Sequence, residues 1–585
     1  MDPCQDLADL VAQLKVGIQN LQLQLMDPTT PPDQLAQLSG QLFQARRNLI
    51  EAEKALQNCR QHPPPPPPFP TQAYLKASNT RENAGFGYSV AVSGNTLVIG
   101  SPYESSGATG VDGNQADTSV VDAGAVYVFV RENRLWRQQA YLKASNTAAP
   151  PSPMTASQHF GYSVAISGDT IVVGALGEAS AASGVNGDQT DRSANLAGAA
   201  YVFVRVRGVW SQQAYLKPSN TAAGQQFGDA VAISGDTIAV AACGESSNAR
   251  GVNGNQTDTS AFAAGAVYVF VRSGTIWSQQ AYLKASNTAA FQQFGFAVAI
   301  SGDTVVVGAN GESSNATGVN GNQADNSAPA AGAAYVFVRS HFANGIFWTQ
   351  EAYLKASNAA AHQNFGVSVA ASGDTLVVGA HFESSNALGV NGNQADTSSP
   401  GAGAAYVFVR SPLVNHPVAR RRAINVGPGN LVRRYFWVQQ AYLKASQASE
   451  TLATDLVDGA NFGWSVAISG DVVIAGIPQQ NFTITDGQGN SAVASCGAAD
   501  VFRRNANGWA PLIRLIASNA TGVPEPPPYS FDGVAYEQEF GWAVAVSGLV
   551  TAVGTWAESS AATGVNGNEF DDSASDSGAA YVFSD

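Results

Sequence analysis

Six times along the chain a glutamate is followed eight residues later by Asn or Asp, two residues further on by another, and three beyond that by Asp. The sets are Glu104, Asp112, Asn114 and Asp117; Glu178, Asn186, Asp188 and Asp191; and Glu245, Asn253, Asn255 and Asp258. They continue as Glu312, Asn320, Asn322 and Asp325; Glu383, Asn391, Asn393 and Asp396; and Glu558, Asn566, Asn568 and Asp571. All are hard oxygen donors, and with neighbouring carbonyls such donors can enclose a Ca²⁺ ion. The same residue types also bond to their own backbone and order turns in Gly-rich loops. Duplication copies a structural trait as faithfully as a functional one, so calcium ligation and turn capping both stand open at this level.

Other chemistry is sparse. The histidines, at 62, 159, 341, 362, 381 and 416, show no metal-ligand spacing, and the Gly-rich stretches read as turns rather than phosphate loops. No nucleophile with a base and no unique carboxylate pair breaks the repeats, which argues against an enzyme. A formal charge of −14 gives a surface that repels nucleic acid. No apolar run is long enough to span a bilayer, and the start Met1-Asp2-Pro3-Cys4 lacks the pattern of a secretory leader.

The elements that must carry these residues repeat. Tyr-Leu-Lys-Ala-Ser recurs with small changes from Tyr74, Tyr141, Tyr215, Tyr282, Tyr353 and Tyr442, and as Leu512-Ile-Arg-Leu-Ile-Ala-Ser near the end. Each is followed by Phe-Gly, at Phe86, Phe160, Phe227, Phe294, Phe365, Phe462 and Phe540. Within a copy, Tyr162–Ser167 and Thr170–Ala175 flank the two-residue turn Gly168-Asp169, and Ala199–Val204 and Trp210–Leu216 follow. Four antiparallel strands per copy make a propeller blade. The last copy ends after its third strand, and Thr71–Lys76 supplies the missing fourth, so the ring closes on itself. The fold expected is all-β, a seven-bladed β-propeller over 71–585.

Ahead of it, Leu7, Leu10, Leu14, Ile18, Leu21 and Leu25, then Leu35, Leu38, Leu42, Leu49, Ala52 and Leu56, follow the heptad-like spacing of a coiled coil. Asp27-Pro-Thr-Thr-Pro-Pro-Asp33 separates the two runs, so 1–60 reads as an antiparallel α-helical hairpin that docks or oligomerises. Such a hairpin places Cys4 beside Cys59, as a disulfide or as two free thiols. The proline run Pro63–Pro68 makes 61–70 a stiff linker.

Phe-Gly opening a strand, Val98-Ile-Gly-Ser-Pro102 or Ala475-Gly-Ile-Pro478 closing the next, and Gly-Ala-x-Tyr-Val-Phe in the third together resemble the FG-GAP repeat. That repeat forms the propeller of integrin α subunits and of bacterial surface proteins. The resemblance implies an extracellular or cell-surface module that binds a protein or glycan through its upper loops, in adhesion. The family's calcium loop in the first hairpin is absent, since that turn is only Ser-Gly-Asp, so Asp169, Asp236, Asp303 and Asp374 read as turn residues. A homo-oligomeric structural subunit, or a hydrolase or lyase on the same scaffold, are the alternatives.

Three features remain. An insertion from Ser411 carries Arg420, Arg421, Arg422, Arg433 and Arg434, fit either for an acidic partner or for a solvated hairpin. Trp136, Trp210, Trp277, Trp348, Trp437 and Trp509 begin the fourth strands and are expected to cover blade edges. Asn255, Asn315, Asn481 and Asn519 lie in glycosylation sequons.

Overall fold

The computed structural model divides into two compact units, 71–584 and the residues preceding it together with Asp585. Between Thr71 and Ser584 it describes every residue except 148–156, 344, 413–434, 447–458, 486–490 and 521–537. Earlier in the chain it describes scattered residues between 14 and 54, which are helical, including Leu14, Ile18, Leu21, Leu38, Leu42 and Leu49. The expected hairpin is not established by these: its turn at 27–33 lies outside the described residues, and no coiled coil is present among the described ones. Cys4, Cys59, the proline linker and the arginine insertion also lie outside them.

The larger unit is a seven-bladed propeller of four-stranded antiparallel sheets. Blade 1 is Ser89–Ser93, Thr96–Ser101, Ala125–Glu132 and Leu135–Leu142, joined in that order. Blades 2 to 6 repeat it, with second strands at Thr170–Ala175, Thr237–Ala242, Thr304–Ala309, Thr375–Ala380 and Val472–Ile477. Blade 6 adds a separate hairpin, Asn481–Thr485 with Ser491–Ser495, in its long loop. Blade 7 is Ala543–Ser547, Val550–Thr555, Ala579–Ser584 and, from the other end of the propeller, Thr71–Leu75. Tyr74 pairs with Tyr581 and Leu75 with Ala580, so the expected closure is present.

The second strands are buried along their whole length in blades 1 to 5 and 7, as a layer covered on both faces requires, and this is why they read as continuous apolar runs. First strands pack against one another around the axis. At the lower turns Gly168 N donates to Ser93 Oγ (3.1 Å), Gly235 N to Ser167 Oγ (3.1 Å), and so on round to Gly94 N and Ser547 Oγ (3.0 Å). Every blade thereby holds its predecessor.

The outer strands are linked by a β-bulge. In blade 1 Val128 faces Ala140 and Phe129 faces Gln138, leaving Gln139 over. A bulge re-aims its extra residue, and Gln139 Oε1 accepts from Trp210 Nε1 (2.8 Å) and Arg205 Nη1 (3.0 Å) of blade 2. The Arg205 guanidinium lies 5.0 Å over the Trp210 ring and pairs with Asp169. Trp277, Trp348, Trp437 and Trp509 repeat the contact to the preceding blade, so the tryptophans are edge covers and the turn aspartates are arginine partners.

Deleting residues 71–76 is expected to uncover the edge of Ala579–Ser584 and convert the propeller to aggregates or strand-swapped oligomers. Size-exclusion chromatography with light scattering checks this, and a stable monomer would show that closure is dispensable.

Candidate functional site

Two groups of residues on the upper face are candidates, and the first is the six loop sets. Their glutamates are buried, not presented. Glu104 Oε2 accepts from Lys143 Nζ (2.8 Å), and both side chains are almost wholly enclosed. Lys217–Glu178, Lys284–Glu245, Lys355–Glu312 and Lys444–Glu383 repeat the pair at 2.8 Å, and Lys76–Glu558 forms it across the ring closure at 2.7 Å. Burial pushes each lysine below its ordinary pKa, and the facing carboxylate opposes that shift.

Every remaining member orders backbone. Asp112 Oδ1 accepts from Tyr141 N (2.9 Å), and Asn186, Asn253, Asn320, Asn391 and Asn566 do the same to the equivalent tyrosines. These six residues take positive φ, which Asn and Asp tolerate. Asn114, Asp188, Asn255, Asn322, Asn393 and Asn568 each accept from the amide two residues on. Asp117, Asp191, Asp258, Asp325, Asp396 and Asp571 also cap the amide two residues on, and the hydroxyl of the serine at that position, with its amide, holds their carboxyls below the usual range.

Turn capping is thus observed directly. The cation beside each glutamate is a lysine ammonium, which disfavours a divalent ion at the same oxygens. Among the described residues no group of three or more His, Cys, Asp or Glu is placed to hold a metal. Adding Ca²⁺ or EDTA is therefore expected to leave the melting temperature unmoved, whereas one site filled at a hundred times its Kd would add about 2.7 kcal/mol. A calcium-dependent rise would return the ion to these loops.

An asparagine missed by the sequence reading extends the network between blades. Asn79 Nδ2 donates to Glu104 Oε1 (3.0 Å) while its Oδ1 accepts from Tyr127 OH (2.5 Å), both of the next blade. Asn146, Asn220, Asn287 and Asn358 repeat both bonds. Blade 6 has no such glutamate, and Ile516 stands where the others have lysine. There Asp500, bonded by Arg514 (2.7 Å), replaces the usual tyrosine pair.

The second group is the mouth of the ring, where the upper ends of the inner strands converge on the axis. The residue after each Phe-Gly sits at the upper start of an inner strand, and here the copies diverge: Tyr88, Tyr162, Asp229, Phe296, Val367, Trp464 and Trp542. The residue after each second strand diverges too, as Pro102, Leu176, Cys243, Asn310, His381, Pro478 and Trp556. Trp464 and Trp542 lie 4.8 Å apart between ring centroids, Trp542 and Tyr88 5.5 Å, and Tyr88 and Tyr162 5.0 Å. Trp556 packs edge-on to Trp542 at 5.8 Å, and His381 to Trp464 at 5.1 Å. The result is a half-buried aromatic wall over blades 6, 7, 1 and 2.

Asp229 stands beside it. Burial pushes its carboxyl up to about 6, while Cys243 opposes the shift by hydrogen bonding to it. The Cys243 thiol also donates to Gln226 Oε1 (3.5 Å), and burial raises it well above its ordinary value, so it stays a thiol rather than a nucleophilic thiolate. Because the folded state raises the Asp229 pKa, stability falls as pH climbs from the unfolded value near 4 through 6. Asp229→Asn is expected to stabilise the chain by about 2 kcal/mol at pH 7, with the difference gone below pH 4. Urea unfolding at both pH values measures it; an equal effect at both would refute the assignment.

Neither the aspartate nor the tryptophans at these two positions were singled out from the sequence. The available signal was divergence itself, at two registers where the flanking residues repeat. A scan against family models matches the FG-GAP repeat at residues 69–129, 136–203, 210–270, 277–337 and 348–408. No curated protein matches the chain.

Proposed function

The chain belongs to the FG-GAP repeat family, and from that premise we propose that it is a non-catalytic binding module of the cell surface or extracellular space, acting in adhesion to a protein or glycan. The observation that carries this reading is the divergence of residue types at the mouth. Apart from blade 6, core positions repeat blade after blade, whereas the fourteen residues around the opening vary in type and include half-buried Trp and Tyr beside a carboxylate. Half-buried aromatic groups with a few polar neighbours are what ligand sites are made of. No helix among the described residues is long and apolar enough to cross a membrane.

The N-terminal segment fits an attachment role, as a helical hairpin closed by a Cys4–Cys59 disulfide that docks the propeller or joins copies. Non-reducing mass spectrometry tests the disulfide. A structural, homo-oligomeric role is favoured by a different observation: the lower hairpins expose Leu135 (72%), Ile276 (72%) and Phe342 (64%). Light scattering on the full chain separates the two, since a large defined assembly without ligand supports the structural role. For the binding role, the immobilised chain is challenged with panels of purified matrix proteins and glycans. Failure to bind any member, or binding unmoved by a Trp464→Ala/Trp542→Ala variant, would overturn it.

A further inference from the structure

Two side chains at the mouth have unmet hydrogen-bonding capacity. Asn310 follows the second strand of blade 4, and His381 holds the same register in blade 5. Their relative exposures are 7% and 4%, and Asn310 Oδ1 and His381 Nδ1 are buried without a protein partner. A buried polar atom without a partner is costly, and most such atoms in folded proteins are satisfied by protein, water or ligand. Their register is the one whose other members, Cys243 and Trp556, adjoin Asp229 and Trp542. Unmet polar atoms on blades 4 and 5 and a carboxylate on blade 3 thus hold upper positions around the same ring as the aromatic wall of blades 6, 7, 1 and 2.

We propose that this opening is a saccharide site: a sugar ring lays an apolar C–H face on Trp464 and Trp542 and turns its hydroxyls toward Asp229, Asn310 and His381. This rests on the reading of the mouth as a binding surface and names the ligand class. The choice follows from hydrogen-bond arithmetic. A hydroxyl both donates and accepts, so it satisfies an amide oxygen, a carboxyl in either protonation state and either tautomer of an imidazole. An ammonium or guanidinium group only donates, and a phosphate or carboxylate only accepts. A polyhydroxylated ligand with an apolar face meets the whole set. The aromatic side is preorganised: Trp556 Nε1 donates to Glu539 Oε2 (2.6 Å), fixing the ring that backs Trp542, and His381 lies against Phe382 at 3.8 Å. Fixed aromatic platforms lose little conformational entropy on binding.

The test uses the full chain on an array of immobilised glycans. The strongest binder is then titrated in solution, with tryptophan fluorescence as the signal because three of the nine tryptophans, 464, 542 and 556, adjoin the site. One glycan class should bind saturably and shift the emission. Trp542→Ala and Asp229→Asn should each weaken it at least tenfold, and Ile276→Ser, on a hairpin tip of the opposite face, should leave it unchanged. Should Trp542→Ala lower the melting temperature, the Asp229→Asn and Trp464→Phe variants decide the matter. No glycan above background, or affinity indifferent to the mouth variants, would overturn the assignment. A chain that binds an immobilised protein through the same mouth but no glycan overturns the saccharide alone, and one that binds neither overturns the binding function as well.

Discussion

Replacing Glu312 by alanine is expected to lower the free energy of unfolding by about 3–5 kcal/mol, far more than loss of a surface ion pair would. The reason is what remains. Lys355 Nζ sits 2.8 Å from Glu312 Oε2, its side chain has no solvent exposure, and it also donates to Ser314 O (2.8 Å). Without the carboxylate an ammonium stays buried and uncompensated, and Asn287 Nδ2 keeps only its longer bond to Gln323 O (3.3 Å). Lys355→Met should be damaging by a similar route, leaving the charge of Glu312 enclosed. The double change Glu312→Leu/Lys355→Ile should cost less than either single one, because a buried ion pair replaced as a unit by apolar groups is often neutral. Blade 6 carries no such ion pair, with Gln480 at the glutamate position and Ile516 at the lysine position. Urea unfolding followed by tryptophan fluorescence measures the series. A loss under about 1 kcal/mol for Glu312→Ala would mean that water reaches the lysine.

The second large effect is expected from a single methyl group. Gly332 has φ +79°, and a Cβ built there lies 2.0 Å from Phe365 O and 2.4 Å from Phe365 N of the next blade. Both obstacles are backbone, so neither can swing aside, and the left-handed conformation adds strain of its own. Gly332→Ala should therefore destabilise by at least about 4 kcal/mol, in the range that marks a named steric mechanism. Gly302→Ala is the internal control: its φ is +55°, nothing lies within 4 Å of the added carbon, and only the conformational part of the penalty applies. Comparable melting temperatures for the two variants would show that blades part easily at this junction.

That contact explains why the motif was legible. Gly332 bridges Phe365 as a short parallel pair, and the glycine after Phe365 meets the second strand of blade 4. The Gly-Ala and Phe-Gly phrases are therefore the two sides of one seam between blades, repeated because the seam is repeated. The turns, the fourth strand at Thr71–Leu75 and the edge-covering tryptophans were readable for the same reason: each follows from local chemistry copied around a ring. The sequence also brought the loop sets into view, and it left their two uses undecided.

Tertiary structure shows one of them, the capping, and brings a lysine to each glutamate. The lysine that occupies the glutamate lies 39 residues away in blade 1 and 482 away across the closure, and the asparagine that bridges both blades belongs to the preceding copy. No spacing rule within one loop contains that information. The mouth is the stronger case, since Trp464, Trp542, Tyr88 and Tyr162 come from four copies and meet only because seven inner strands converge on one axis. By itself the sequence determined the repeat, its strands, its seams and the closure of the ring, because those depend on residues near in the chain or identical in every copy. What only the fold could decide was which oxygens are spent inside and which differing residues become neighbours, because burial and convergence are properties of the closed ring.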